Sequence, residues 1–453
     1  MTRRIFVLLL AAAAWAQTLT PPPDAAARVQ QVFTRFDAAA SPGCAVGVSL
    51  NDEPVLTAAY GYADLEHDVH ITPDTVFEAG SVSKQFTAMA VLLLAQQGKL
   101  SLDDNVRKYI PELPEYQAPI TIRHLLNHTS GLRDWGSLEA IAGWPRTTRA
   151  YTHDHVLEIL SRQKALNYTP GAEYSYTNSG YNLAAILVTR VSGKPFAQFS
   201  KEQIFQPLGM TSTQWRDDFR RIVKNRAIAY EQRGGTLRQL MPFEDVHGNG
   251  GLLTTVGDLL KWNANFATAK VGGKELVALQ QVQSKLNDGR TISYALGLFV
   301  EYHQDFNEVS HSGTTAGYNA WLGRYPDKRI SVAILCNSSA ANGTQLGRSV
   351  ADVYLGLAPH RVISDPLQTL PFPVSAERLA SYAGTYYNDE IETMLTVAVE
   401  DGRLVIHRRP ADVIRLSASG SDAFSSSLGT VRFLGNELSI HESRVWDLRF
   451  QRR

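Results

Sequence analysis

Ser81-Val82-Ser83-Lys84 stands at the head of an apolar run containing Phe86, Ala88, Met89, Val91, Leu92, Leu93 and Leu94, and no charged residue follows Lys84 until Lys99. A helix of that composition is apolar most of the way round, so it has to be buried with other layers packed about it. Burial takes Lys84 with it. The lysine lies three residues after Ser81, a spacing that puts the two on one face of a helix. A serine hydroxyl is a poor nucleophile unless a neighbour takes its proton, and lysine can do so only when neutral. Lowering its pKa from about 10.4 to roughly 7 or 8 requires about 4 kcal/mol from the surroundings. Desolvation and the positive end of a helix both act in that direction. The segment therefore predicts a serine nucleophile with its own base, the chemistry of acyl transfer.

A second segment, Ser161-Arg162-Gln163-Lys164, has the same spacing. Val156, Leu157, Ile159 and Leu160 before it form an ordinary amphipathic stripe, with Arg162 and Lys164 on a solvated face. A hydrated lysine keeps its proton, so Ser81 is the expected nucleophile. No Gly-x-Ser-x-Gly elbow occurs, which argues against the α/β-hydrolase arrangement.

Two further segments complete the pattern. Tyr174-Ser175-Tyr176-Thr177-Asn178 follows the Pro170-Gly171 turn and precedes an apolar helix starting near Leu183. There Tyr176 can relay protons and Asn178 offers both a donor and an acceptor. His311-Ser312-Gly313-Thr314 falls in a predicted strand, where the glycine allows a substrate backbone to approach. The amides of Ser81 and Thr314 can then form an oxyanion hole.

With Ser-x-x-Lys, Tyr-x-Asn and His-Ser-Gly-Thr in that order, the chain resembles the penicillin-recognising serine hydrolases: class C β-lactamases, D-alanyl-D-alanine carboxypeptidases, D-aminopeptidases and their esterase relatives. Ile120 to Leu132 and Gly250-Gly251-Leu252-Leu253-Thr254-Thr255 leading to Asp258, Leu259 and Trp262 also resemble segments of that family. The resemblance spans roughly residues 25 to 358. It implies an α/β (α+β) fold of the β-lactamase/transpeptidase type, with an antiparallel sheet flanked by helices and an all-helical region beside it. It assigns Ser81, Lys84 and Tyr176 to catalysis and Asn178, His311, Gly313 and Thr314 to substrate binding. The expected substrate is a small-molecule or short-peptide acyl compound: a β-lactam, a D-amino-acid peptide or an ester, with β-lactamase the first expectation. His311 stands where the family usually carries lysine. An unperturbed histidine, pKa about 6.5, is mostly neutral at about pH 7, so KM for carboxylate-bearing substrates is expected to rise between about pH 6 and pH 8.

In the implied fold the first and last strands of the sheet are antiparallel neighbours, which brings Cys44 near Cys336. An oxidising compartment permits a disulfide there; two small buried residues are the other possibility. Such a compartment is expected. Arg3 and Arg4, the apolar run Ile5 to Trp15 and Ala14-Trp15-Ala16 read as a cleavable signal peptide over residues 1–16, implying a periplasmic or secreted protein without a membrane anchor. Lys plus Arg and Asp plus Glu number 44 each, giving no electrostatic case for nucleic acid or an anionic membrane. Oligomeric state is not readable. His124 and His128 are spaced for one helical face, but no third ligand accompanies them, and neither a metal nor another cofactor is expected. His153-Asp154-His155 reads as a solvated helix start.

The hydrolase domain is expected over 17–362. A linker at 363–375 is marked by Pro366, Pro371 and Pro373, and beyond it the alternation Leu395, Val397, Val399, the Asp401-Gly402 turn, Leu404 and Ile406 predicts hairpins. Val431, Phe433, the Gly435-Asn436 turn, Leu438, Ile440, Trp446, Leu448 and Phe450 repeat the pattern. Residues 376–453 are thus expected to form a small antiparallel β-barrel, and Tyr382-Ala383-Gly384-Thr385-Tyr386 with Leu448-Arg449-Phe450 resembles the lipocalin-like domain appended to many of these hydrolases. A structural cover is its expected role. Two other functions fit the sequence: a penicillin sensor that acylates without turnover, and a small-ligand binding module housed in the barrel.

Overall fold

The computed structural model describes residues 20–37, 40–358, 372–409 and 412–453. The expected signal peptide and the linker up to residue 371 lie outside the described residues. The main sheet is six-stranded and antiparallel, in the order Phe299–His303, Phe306–Thr315, Tyr318–Tyr325, Ile330–Cys336, Cys44–Leu50, Glu53–Tyr60. Cys44–Leu50 is buried along its whole length, because helices cover both of its faces. Val46, Val48 and Leu50 join Val29 and Phe33 of helix Ala25–Phe33 and Leu346, Val350 and Val353 of helix Gly343–Leu355 in one apolar cluster. On the other face Gly47 leaves room for helix Val256–Thr268: a Cβ there would lie 3.1 Å from Leu260 and 3.2 Å from Val256. A strand enclosed on both sides reads as a continuous apolar run rather than as an alternation, and this one does.

Cys44 and Cys336 face each other in the register of those two strands and are joined by a disulfide. The bond closes a sequence separation of 292 residues, so it removes much of the freedom of the unfolded chain. Replacing both cysteines by alanine should lower unfolding free energy by roughly 2 to 4 kcal/mol, measured by urea denaturation; an unchanged midpoint and slope would contradict this.

Helices Lys84–Gln96 and Asn178–Ser192 pack together beside the sheet. Each begins with eleven consecutive buried residues, Lys84 to Leu94 and Asn178 to Val188. Among the described residues of the hydrolase portion, three small ladders lie outside the main sheet. One of them, Phe77–Glu78 with Leu252–Thr254 and Gln214–Trp215, runs directly into the Ser81 segment.

After residue 372 the chain builds a nine-stranded antiparallel sheet whose outermost strands, Asp412–Arg415 and Ser417–Ala418, are separated in sequence only by Leu416. The sheet is therefore a nearly closed barrel. Asp401 and Gly402 both have positive φ, +48° and +72°, as a two-residue hairpin of the expected kind requires. One expectation shifts. Asp447, at φ +49°, breaks the alternation at the start of strand Val445–Arg452, where the register with Glu437–Glu442 also slips. Val445 takes the inward place and Trp446 turns out against Tyr168 of the hydrolase portion, with ring centroids 5.1 Å apart. Bulges re-aim side chains in this way.

Candidate active site

Ser81 lies on a 3₁₀ turn, Gly80–Ser83, and Lys84 is the first residue of the α-helix that follows. A continuous α-helix from Ser81 was expected. The tighter turn serves the pair better, because a 3₁₀ turn eclipses residues three apart; Lys84 Nζ is 3.1 Å from Ser81 Oγ. The Ser83 hydroxyl locks the turn by donating to Gly80 O at 2.6 Å and accepting from Leu252 N at 3.1 Å. Two glycines let the turn press on strand Phe306–Thr315. A Cβ on Gly80, itself at φ +51°, would be 2.6 Å from Thr314 N, and one on Gly313 would be 2.0 Å from Ala79 O and 2.9 Å from Ser81 N. The backbones carrying the Ser81 and Thr314 amides are thus in direct contact.

Lys84 is fully buried. Besides Ser81 its amine has two partners, Asn178 Oδ1 at 3.0 Å and Asn249 O at 2.8 Å. Burial drives its pKa well below the ordinary lysine value, the cation of Arg444 adds to the effect, and Asp134 opposes it. A neutral amine has two N–H groups and one lone pair. A backbone carbonyl and an amide oxygen can only accept, so both N–H groups are spent on Asn249 and Asn178, and the lone pair is left facing the Ser81 hydroxyl. Tyr176 closes the other side: burial pushes its phenol up, opposed by its hydrogen bond with Ser81, so it keeps its proton and can donate. Its ring centroid is 4.8 Å from Lys84 Nζ.

Residues not assigned to the site in the sequence hold this geometry. Asp134 Oδ2 accepts the Asn178 amide at 2.6 Å and anchors the start of helix Asn178–Ser192. Asn182 Nδ2 donates to Asn249 Oδ1 at 2.7 Å, fixing the segment whose carbonyl receives Lys84. His128, at φ +61°, is buried with its ring 4.2 Å from that of Tyr176 and 4.5 Å from that of Tyr294, and its Nδ1 accepts the Thr177 amide at 3.2 Å. Burial and the neighbouring Lys84 keep it neutral. His124 Nδ1 accepts the Thr121 amide at the cap of the short helix Ile122–Leu126, so the two histidines serve the backbone and do not share a helical face. His153, expected to be solvated, is half-buried and bonded to His247 O at 3.0 Å. His128 lies inside the Ile120 to Leu132 segment and Asp134 two residues beyond it, so these two had a visible signal.

His311 corrects an expectation. It is 2% exposed. Its Nδ1 donates to Ser312 O at 2.6 Å, so its Nε2 is the acceptor for the Tyr294 hydroxyl at 3.0 Å. Burial, reinforced by Lys84, lowers its pKa to about 3. It does not titrate between about pH 6 and pH 8, and the KM trend expected from it falls away. Both ring nitrogens are occupied, so His311 supports Tyr294 and offers no cation to a ligand. Thr314, by contrast, is exposed on the same strand, its hydroxyl bonded to Asn319 Oδ1 at 2.9 Å.

The competing Ser161 donates to Glu158 O at 2.8 Å within its own helix, and exposed Lys164 is ion-paired with Asp389 of the barrel. That bond raises the lysine's pKa; it is a surface cation and no base. The barrel docks on the rim of the site. Arg133 pairs with Glu390 at 2.9 Å in a buried contact, Ser175 Oγ donates to Ser443 O at 3.1 Å, and the Asp134 amide donates to Arg444 O at 3.2 Å.

A family model described as Beta-lactamase matches residues 29–355. The chain belongs to the beta-lactamase family. As a family member it is a serine hydrolase, and its relatives include proteins named D-aminopeptidase. It is 28% identical over 371 residues to penicillin-binding protein 4* of Bacillus subtilis strain 168, covering 77% of this chain and 80% of the relative. It is 27% identical over 402 residues to a D-aminopeptidase of Brucella melitensis, covering 88% and 74% respectively. Its fold matches that of the octameric penicillin-binding protein homologue from Pyrococcus abyssi with a TM-score of 0.66 at 23% identity, over 94% of this chain and 99% of the other.

Proposed function

We propose that this beta-lactamase-family chain hydrolyses short peptides or amides with a D-residue at the scissile bond, through an acyl-enzyme on Ser81. The observation that carries the mechanism is the desolvated Lys84 amine, 3.1 Å from Ser81 Oγ with both N–H groups engaged elsewhere. Ser81 Oγ attacks the carbonyl carbon as Lys84 takes its proton. The oxyanion is received by the Ser81 and Thr314 amides. When the C–N bond breaks, the Tyr176 phenol gives its proton to the departing nitrogen and recovers one from Lys84. Water repeats the sequence on the ester, with Ser81 as leaving group. The D-aminopeptidase relatives aligned over 88% of the chain support a D-residue substrate.

A hydrolysis panel tests this: D-alanine p-nitroanilide and its L-isomer, a D-Ala-D-Ala peptide, nitrocefin and a nitrophenyl ester, each with native protein and Ser81→Ala. Ser81-dependent turnover confined to D-configured amides or peptides is expected. Turnover of nitrocefin or the ester alone would contradict the substrate class.

The pH profile follows from the charge states. Lys84 acts when neutral, so kcat/KM for an uncharged substrate should rise with pH through the depressed pKa of Lys84, far below the ordinary value of about 10.4. It should then hold level, since Tyr176 stays protonated beyond the usual tyrosine range. A rate still climbing above about pH 10 would mean that Lys84 is an ordinary cation.

Export to the periplasm or medium is part of the same proposal, supported by the basic and apolar start of the chain and by the Cys44–Cys336 disulfide, which suits an oxidising compartment. The mature N-terminus should fall at Gln17 on N-terminal sequencing of exported protein.

A further inference from the structure

The barrel delivers a cation to the hydrolase site. The connection between strands Glu437–Glu442 and Val445–Arg452 is pinned to the hydrolase loops on both sides of Arg444. Ser443 O accepts from Ser175 Oγ at 3.1 Å, Arg444 O accepts from the Asp134 amide at 3.2 Å and from Asn167 Nδ2 at 3.0 Å, and the Trp446 amide donates to Asn167 Oδ1 at 2.8 Å. These are the segments that carry Tyr176 and the Asn178 anchor, so the position of Arg444 is tied to that of the catalytic groups. Its guanidinium carbon lies 5.0 Å from the centroid of the Tyr176 ring, and the side chain is half-buried.

A guanidinium brought this close to a desolvated lysine is costly unless it serves something, since it lowers the pKa of Lys84 and faces no counter-ion. Among the described residues it has no ion-pair partner, and the Asp134 carboxylate is committed. Asp134 accepts from Asn178 N at 2.6 Å and Ser137 N at 3.0 Å. On strand Phe306–Thr315 His311 cannot take that role, because it is buried with both ring nitrogens bonded.

We propose that Arg444 is a specificity-determining residue that receives the free carboxylate of the substrate, so that the barrel completes the substrate site. A planar guanidinium can grip a carboxylate through two parallel N–H bonds while its face rests on an aromatic ring. The proposal rests on the reading of the site as an acyl hydrolase of D-residue peptides. It adds that peptides ending in a free acid are preferred to their C-terminal amides.

The test uses the full chain and competition for Ser81. A neutral fluorophosphonate labels Ser81, and a D-Ala-D-Ala peptide or its C-terminal amide is added as competitor, with native protein, Arg444→Gln, Arg444→Ala and Arg444→Lys. The native protein should be protected at least about tenfold better by the acid than by the amide, as expected for a hydrogen bond to a charged group. Arg444→Gln and Arg444→Ala should collapse that ratio toward one, and Arg444→Lys should restore part of it. Because the readout is a ratio within one variant, a general loss of acylation from a shifted Lys84 pKa cancels. Arg444→Gln keeps the bulk of the side chain if Arg444→Ala fails to fold. A native ratio near one, or a ratio undiminished in Arg444→Gln, would overturn the proposal. If the acid protects but no D-residue substrate is turned over in the hydrolysis panel, the substrate reading fails while the role of Arg444 stands.

Discussion

Ser81→Ala should reduce covalent labelling by a fluorophosphonate and turnover of any substrate to background, whereas Ser161→Ala should leave both at the native level. Lys84→Ala should slow acylation by about 10²- to 10⁴-fold, the usual contribution of a positioned general base. Lys84→Met, which fills the buried space without an amine, should lose as much, separating lost basicity from a cavity. Since nucleophile and base act as one unit, the double variant should be no slower than Ser81→Ala alone. Rapid-mixing labelling rates measure all of these. A Ser161→Ala variant that loses labelling, or a Lys84→Met variant that keeps it, would contradict the assignment.

Gly313→Ala should be nearly as damaging without removing any functional side chain. The added methyl would sit 2.0 Å from Ala79 O and 2.9 Å from Ser81 N, both backbone atoms with no rotamer to yield. The strand must then move away from the Ser81 turn, taking the Thr314 amide from the oxyanion position. Loss of one such donor typically costs about 10²- to 10³-fold in kcat, and that fall is expected with a smaller change in KM. Gly420→Ala, where the nearest atom is Ala423 Cβ at 3.5 Å, should have native kinetics. A Gly313→Ala protein with native kcat would show that the two backbones need not touch.

Much of the fold could be read from local pattern. The alternation Leu395, Val397, Val399, the Asp401-Gly402 turn, Leu404 and Ile406 appears as the paired strands Thr393–Glu400 and Arg403–Arg408, because alternation bounded by turn residues is set by short-range order. The Ser81–Lys84 juxtaposition was legible for the same reason, the two lying within one turn. What the sequence could not carry was burial and long-range placement. A 3₁₀ turn and the first turn of an α-helix share their residue spacing, so the Gly80–Ser83 turn was hidden. The shift of His311 comes from packing against residues such as Tyr294 and Phe299, which its neighbours in sequence do not announce. Asn249 acts through a backbone carbonyl, which has no side-chain signature. Arg444 reaches Tyr176 from 268 residues away, through a barrel whose own sequence reads only as alternating strands.

The central claim is that acyl groups are carried on Ser81 by virtue of a neutral Lys84. Peptide mapping by mass spectrometry after brief exposure to a neutral acylating probe, at a series of pH values, tests it most directly. The predicted result is one adduct, on the peptide containing Ser81, whose rate of formation falls at low pH as Lys84 becomes protonated. An adduct on Ser161 or another residue, or a Ser81 adduct that forms at the same rate in the Lys84→Met protein, would contradict it.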